Sequence, residues 1–316
     1  MEQKKLKPWH GVVTFVVMMV IFLIVGIPVQ MYLGLIGVGI TELLLLVMAI
    51  AAALIFKQNL KEVFPIKVPK LREIFGVLLF WMGSFLCTMI ATLLMMVVFP
   101  EEVQAVSSGL SDVMTDGEVW LSIIIVSVMP AICEEAVHRG FILHTFRGVK
   151  REWITVLCMG IIFGVFHMDP FRFLTTAVLG AALTWVMLKT KNIVIPAIFH
   201  AVNNLFPVLI SFATMSATST AVASEGASDA SAMLANDWRF GLISLASYLM
   251  IGVVAPPLML AGTALLKPKG EKIKGKHVLA VCIIAGILFL AGFVILAVNM
   301  PYYLEMQGIS LEELGL

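Results

Sequence analysis

Long runs of apolar residues divide this chain, and short segments rich in charged residues separate them. Most of the runs are long enough for a helix that crosses the roughly 30 Å apolar core of a bilayer. The pattern predicts an all-α fold, a polytopic transmembrane helical bundle of about nine spans. The predicted spans are 12–33, 37–56, 74–99, 119–146, 153–167, 171–188, a seventh from residue 193 onward, 240–266 and 278–298.

Composition supports the same conclusion. The 316 residues are 60% hydrophobic and 13% charged, which is too apolar for a soluble globular domain. The formal net charge of +1 gives no indication of a nucleic-acid partner, and none is expected. The four cysteines have no zinc or redox spacing, so we interpret them as packing residues. We expect a multi-pass protein of the cell membrane whose constant partner is membrane lipid.

The positions of the basic residues predict the orientation of the spans. With a cytoplasmic N-terminus, every lysine and arginine except Arg139, Arg172 and Arg239 falls on the cytoplasmic side. The basic segment 57–72 is then a cytoplasmic connection, partly amphipathic and interfacial.

Three other segments between or within the spans carry predictions. An acidic, polar loop is expected after the third span, and a Ser/Ala/Thr-rich loop around residues 215–235. The dipeptide Pro256-Pro257 predicts a kink or break in the eighth span.

Four polar residues inside the fourth span are the strongest functional signal. The stretch AICEEAVHRG contains Glu134, Glu135, His138 and Arg139. An unpaired charge at the centre of a span costs about 3 kcal/mol, so these side chains must be paired or face a polar cavity. Glu135 and Arg139 have the i, i+4 spacing of an ion pair. Glu134 has no charged partner on its own helix, which makes it a candidate general base.

Two further spans carry polar groups, while Glu42 in the second span fits either a packing role or a place in the same cavity. The fifth span ends in FGVFH, where Gly160 and Gly164 lie on the face of His167 and let another helix approach closely. The seventh contains HAVNN, which places His200 and Asn204 on one face.

Each of these elements alone has a structural explanation. A single intramembrane histidine more often forms a hydrogen-bonding strut than a catalyst, and an asparagine commonly joins helices. Pro130 is most simply a kink, which also frees a carbonyl one turn before the glutamates. Together, an acid pair, two histidines and an asparagine on three helices indicate a constructed site.

The three motifs, in this order, resemble those of one family. EEAVHR matches EExxxR, FGVFH matches FxxxH and HAVNN matches HxxxN of the CPBP family, which are intramembrane proteases similar to type II CAAX prenyl endopeptidases and bacterial Abi proteins. The resemblance covers about residues 118–207 and divides the chain into N-terminal spans (1–117), a catalytic core (118–208) and an extracytoplasmic loop with C-terminal spans (209–316).

The resemblance implies hydrolysis of a peptide bond. Glu134 would activate a water that His167 holds and polarises. His200 and Asn204 would donate hydrogen bonds to the oxyanion. The substrate would be a membrane-associated or lipidated peptide or protein, reached through a cavity that opens toward the cytoplasm.

Two mechanisms are compatible with these residues. Glu134, His167 and His200 would suffice as three ligands of a catalytic Zn²⁺ with an open fourth position. The sequence contains no HExxH, however, and we prefer a glutamate mechanism without a cofactor. In either case Glu135 and Arg139 would fix the position of the fourth helix and its carboxylates without contacting the substrate.

Two other classes of function remain open at this point. Buried glutamates and histidines also serve as proton relays in transporters, although no inverted repeat is visible. A non-catalytic immunity or scaffold protein would keep the same fold. The depth of the site is also open: His167 ends its span, so either that span is short and tilted with Asp169-Pro170 buried in protein, or its predicted boundaries are wrong.

Overall fold

The computed structural model describes residues 6–218, 238–268, 271 and 273–306, and all regular secondary structure in these ranges is helical. Seven of the described helices are long and apolar enough to cross a membrane. The predicted polytopic helical bundle is therefore confirmed. The helices are α1 (Pro8–Ile21), α2 (Ile27–Ile55), α3 (Leu60–Val63), α4 (Leu71–Val98), α5 (Pro100–Thr115), α6 (Val119–Ser122), α7 (Met129–Glu135), α8 (Leu143–Thr145), α9 (Glu152–Phe166), α10 (Phe173–Thr190), α11 (Val194–Thr218), α12 (Trp238–Ile251), α13 (Ala255–Leu266) and α14 (Gly275–Met306).

Some of these helices continue into one another without a loop. A 3₁₀ turn at Gly252–Val254 joins α12 to α13 just before the two prolines, so the predicted break in the eighth span is confirmed. The other junctions are π-helical, and they are Phe22–Gly26 between α1 and α2, Ile123–Val128 between α6 and α7, and Ala136–Ile142 between α7 and α8.

The first long apolar segment folds back on itself at Gly34. Helical structure runs over Pro8–Ile55, but Gly34 has φ +54° and ψ −132°, which a helix does not contain. The Gln30 side chain donates to the Thr41 hydroxyl at 2.7 Å, whereas these residues would lie about 16 Å apart along a straight helix. Glycine permits this reversal because it has no Cβ. The chain thus reverses between two helical parts of this segment, near the boundary that the sequence predicted between the first two spans.

The fifth predicted span is a short helix. With 15 residues, α9 is about 22 Å long, less than the apolar thickness of a bilayer. His167 follows its last residue, and Asp169 Oδ1 accepts the backbone N–H of Phe171 at 2.8 Å to turn the chain into α10. Pro170 is exposed and Asp169 is half-buried, so the short-helix explanation holds, but the expected burial of this dipeptide is wrong.

The segment after the third span is helical, so the prediction of a polar loop there is wrong. α5 buries Val103 and Met114 on one face and carries Glu101 and Glu102 in its first turn, where the helix dipole favours acids. The Ser/Ala/Thr-rich loop lies outside the described residues from position 219 onward, and α11 runs on to Thr218.

The helices α6, α7 and α8 and their π-helical junctions form one continuous helix, Val119–Thr145, which we call the central helix. It occupies the middle of the bundle and packs against α2 and α11. α9 packs along α10 through the predicted glycines. A Cβ on Gly160 would lie 2.8 Å from the Ala177 carbonyl oxygen, and one on Gly164 would lie 2.9 Å from the Phe173 ring. The two glycines therefore allow α9 and α10 to pack closely.

Candidate active site

Two hydrogen bonds fasten the histidine-bearing helix to the central helix. The Ser127 hydroxyl donates to the Ala201 carbonyl at 2.7 Å, and Asn204 Nδ2 donates to the Val126 carbonyl at 3.2 Å. Both partners on the central helix belong to its π-helical segment just before Pro130. These contacts place His200, one turn before Asn204, next to the paired glutamates.

Glu135 is the centre of the buried polar network. Its Oε1 accepts from Nη1 of Arg139 at 2.9 Å and lies 3.0 Å from Nδ1 of His200. All three side chains are at most 2% exposed. The predicted ion pair is therefore confirmed. The same carboxylate oxygen also contacts His200 and so links α11 to the central helix. Because an ionised carboxylate accepts hydrogen bonds but cannot donate them, Nδ1 of His200 carries the proton in this contact.

Arg139 reaches beyond its own helix. Its Nη2 donates to the Gly180 carbonyl on α10 at 3.0 Å, and its guanidinium lies 4.5 Å from the centre of the Phe163 ring. The EExxxR motif thus ties three neighbouring helices to the central one. A buried charge held in this way is costly to disrupt, because removing one partner leaves the other unpaired.

Glu134 has a very different environment from its neighbour. Its side chain is 9% exposed, and Oε2 has no hydrogen-bond partner among the described residues. This oxygen lies 3.9 Å from Nε2 of His200, beyond hydrogen-bonding distance. A single water molecule can hydrogen-bond to two polar atoms at such a separation. The geometry therefore leaves one carboxylate oxygen available beside an imidazole nitrogen.

His167 is held by its own helix. Its Nδ1 lies 2.9 Å from the Phe163 carbonyl, which can only accept, so Nδ1 carries a proton and Nε2 is left for another partner. The Phe163 ring packs edge-on against both histidines, with its centre 4.9 Å from that of His167 and 5.8 Å from that of His200. The phenylalanine of FxxxH therefore contacts both imidazoles of the site.

Asn204 compensates for a proline. Pro130 has no N–H to donate to the carbonyl four residues earlier, which is that of Val126. This is the carbonyl that accepts from Asn204. One N–H of the amide is used in this bond, and the second remains for another acceptor.

His138, the extra titratable group in the motif, is fully buried. Its Nδ1 lies 2.9 Å from the carbonyl of Glu134, and its ring packs edge-on against Phe163 and Phe166 at 4.9 Å from each. These contacts describe a packing residue behind the glutamates.

Two charged residues near Glu134 were not assigned to the site from the sequence. Glu42 on α2 is buried and within electrostatic range of Glu134, which favours the second of its two predicted roles. Arg172, which the charge pattern placed outside the membrane, is within electrostatic range of both Glu134 and His167. The shortness of α9 was the available signal, since a chain that turns so early leaves Arg172 only five residues from His167.

The arrangement does not fit a metal centre as it stands. Among the described residues, no three His, Cys, Asp or Glu side chains converge closely enough to hold a metal ion, and Glu134, His167 and His200 are included in that finding. We therefore derive no catalytic step through zinc.

Comparison with known protein families gives a match. Residues 116–206 match the family described as "Rce1-like: Type II CAAX prenyl endopeptidase Rce1-like". No curated protein and no solved structure matches the chain. The matched segment contains all three motifs, and the resemblance drawn from them is confirmed.

Proposed function

We propose that this multi-pass membrane protein is an intramembrane endopeptidase, because residues 116–206 match the Rce1-like family. It hydrolyses a peptide bond in a membrane-associated or lipidated peptide or protein of the cell membrane. The observation that carries the proposal is the buried carboxylate of Glu134, whose Oε2 has no hydrogen bond and faces Nε2 of His200 at 3.9 Å.

The proposed reaction starts from a water molecule beside Glu134. The carboxylate takes one proton from this water while the oxygen attacks the peptide carbonyl carbon, and Nε2 of His167 orients the water. The C–N bond then breaks as Glu134 passes its proton to the leaving nitrogen, which gives a carboxylic acid and an amine. The site supplies a base that needs no rearrangement of an existing hydrogen bond.

The tetrahedral intermediate carries a negative oxygen that needs donors. Asn204 can supply its second amide N–H without giving up the bond to Val126. His200 can donate from Nε2 when both ring nitrogens carry protons, because Nδ1–H is already bonded to Glu135. Glu135 and Arg139 then act as positioning residues that hold His200 in place.

The burial of these groups favours a substrate that is itself held in the membrane. Glu134 and His200 lie inside the bundle, and the central helix is apolar over most of its length. A peptide must therefore enter the apolar layer to reach them, which favours chains with a lipid anchor or an apolar segment.

The test is cleavage of a quenched fluorescent library of membrane peptides by purified full-length protein. We expect Glu134→Gln to lower kcat/KM by about 10³-fold, within the range of general-base catalysis. Its folding should be unchanged, because no hydrogen bond to Oε2 is lost. The matched control is Glu102→Gln, which removes an exposed carboxylate from α5.

Three outcomes separate the alternatives. Cleavage that survives a chelator and is lost in Glu134→Gln supports the glutamate mechanism. Cleavage that a chelator abolishes and zinc restores would assign a metallopeptidase. Absence of cleavage by folded wild-type protein across the library would overturn the proposal in favour of a non-catalytic immunity or scaffold role.

A further inference from the structure

A cavity of about 600 Å³ lies among the connections between the helices. Its wall is formed by α3 and the segment that follows it, by the end of the helix Val119–Thr145, by the start of α9 and by the end of α10. The charge pattern assigns these connections to the cytoplasmic side. Arg139 lines the cavity, whereas Glu134, His167 and His200 do not. It is therefore a separate site that meets the candidate active site at one side chain.

Positive charge dominates this wall. Both carboxylates in it already have basic partners. Glu62 pairs with Arg147 at 3.2 Å, and Glu152 pairs with Lys189 at 2.6 Å. The lysines of the wall form no ion pair within the described residues, so the cavity carries an uncompensated positive charge. The cationic side chains that line it are Lys61, Lys67, Arg139, Arg147 and Lys191.

Two of the lysines are held in place by a backbone clamp. The buried Asn192 side chain accepts from the backbone N–H of Lys67 at 3.0 Å and donates to the Lys67 carbonyl at 3.1 Å. The N–H of Ile193 donates to the Pro65 carbonyl at 2.9 Å. Lys191 directly precedes this clamp. The two exposed ammonium groups therefore rise from a fixed segment and need little ordering to bind an anion.

The inner end of the cavity offers a buried donor. Arg139 is 1% exposed, and its two terminal nitrogens are bonded to Glu135 and Gly180. Its Nε has no partner among the described residues. A buried N–H without an acceptor is unfavourable, and an anion in the cavity would bring an acceptor to this side chain.

The flanking residues indicate where such an anion comes from. Ile66 and Val68 alternate with Lys67, and their side chains are 75% and 91% exposed. Apolar side chains beside a basic site at the end of a span fit the boundary between lipid headgroups and acyl chains. We propose that this cavity binds the phosphate group of an anionic phospholipid from the cytoplasmic leaflet.

The test measures binding of phosphatidylglycerol to full-length protein in detergent by native mass spectrometry, with phosphatidylcholine for comparison. We expect Lys67→Gln with Lys191→Gln to weaken phosphatidylglycerol binding about 30-fold, from the usual contribution of two lysines near a charged lipid surface. The matched control is Lys57→Gln with Lys150→Gln, which removes the same charge from exposed positions outside the cavity wall. We expect the control pair to bind as wild type does.

Competition identifies the recognised group. Displacement of the lipid by glycerol 3-phosphate at high concentration, and not by glycerol, supports recognition of the phosphate. Equal binding of the soluble phosphate and the lipid would overturn the assignment to phospholipid. Displacement by a peptide with a free C-terminal carboxylate, and not by its amide, would assign the cavity to peptide termini and overturn it too. Equal weakening of lipid binding by both pairs of lysine substitutions would also overturn the proposal, because general surface charge would then explain the effect.

This inference does not depend on the proposed protease activity. Glu134→Gln leaves every residue of the cavity wall in place, so we expect it to bind phosphatidylglycerol as wild type does. Wild-type protein that binds phosphatidylglycerol but cleaves no peptide would overturn only the protease proposal, whereas protein that cleaves but does not bind the lipid would overturn only this one.

Discussion

The helix Val119–Thr145 and the helix α14 are both long and apolar, yet they bury different things. Half of the central helix's most apolar window is buried within the protein, whereas the figure for α14 is 6%. The central helix uses its burial to hold a guanidinium, an imidazole and two carboxylates. On α14 the buried Asn299 donates to the Ile295 carbonyl of the same helix. Charged groups are tolerated where neighbouring helices supply partners. We therefore expect substitutions in the central helix and its contacts to lower stability more than substitutions on α14.

The largest effect on stability is expected at the buried ion pair. Arg139→Met should lower the free energy of unfolding by about 3–5 kcal/mol, because it leaves Glu135 buried without its cation. The control is Arg147→Met, which breaks an ion pair whose side chains are 54% and 47% exposed. There we expect a loss of about 0–1 kcal/mol. Denaturant unfolding of both variants in detergent measures the difference, and equal losses would contradict it.

A smaller effect is expected where two helices approach closely. Gly160→Ala places a Cβ 2.8 Å from the Ala177 carbonyl oxygen, so α9 and α10 must move apart. We expect a loss of about 1–3 kcal/mol, typical of overpacking. Gly286→Ala on α14 meets no atom within 4 Å, and its higher helix propensity should leave stability equal or slightly increased. Thermal melts of the two variants test the contrast, which fails if both are tolerated.

The bond from Asn204 to the π-helical segment should contribute less. Asn204→Leu removes the donor to Val126, and we expect a loss of about 0.5–1.5 kcal/mol. Cleavage activity should fall further than this change in stability accounts for, if the second amide N–H serves the oxyanion. Parallel measurement of the melting temperature and of kcat decides between the two roles. Unchanged kcat in the folded variant would leave Asn204 purely structural.

The smallest effect is expected on the exposed face of α14. Val294 is 50% exposed in the protein and meets lipid in the predicted bundle. Val294→Leu should change the free energy of unfolding by less than about 0.5 kcal/mol, as substitutions away from packed features do. A melting temperature shifted by many degrees would show that this face has a protein partner.

The sequence predicted best what is local along the chain. The Glu135–Arg139 pair follows from i, i+4 spacing. The close packing at Gly160 follows from two glycines, Gly160 and Gly164, that are four positions apart. α5 was missed because its acidic residues were interpreted as a loop, although two of them, Glu101 and Glu102, lie in the first turn of a helix with a buried apolar face. An amphipathic helix at a membrane surface has neither the long apolar run of a span nor the Gly and Pro content of a loop.

Contacts between distant segments were out of reach. Pro130 was expected to free a carbonyl. Nothing in the sequence indicated that the side chain of Asn204, 74 residues after Pro130, donates a hydrogen bond to this carbonyl. The bond between Glu135 and His200 likewise depends on which faces of two helices meet. The cavity wall was missed because it is assembled from four separate segments, and Arg139 is the one residue of the three motifs that lines it.

The sparse bonding of Glu134 offers a way to find the unknown substrate. An isosteric amide at position 134 keeps the shape of the site and breaks no hydrogen bond to Oε2. Such a variant should hold an uncut substrate for longer than the wild type, because binding survives while turnover stops. Purified from its native membrane after crosslinking, Glu134→Gln then becomes a trap whose captured chain can be sequenced.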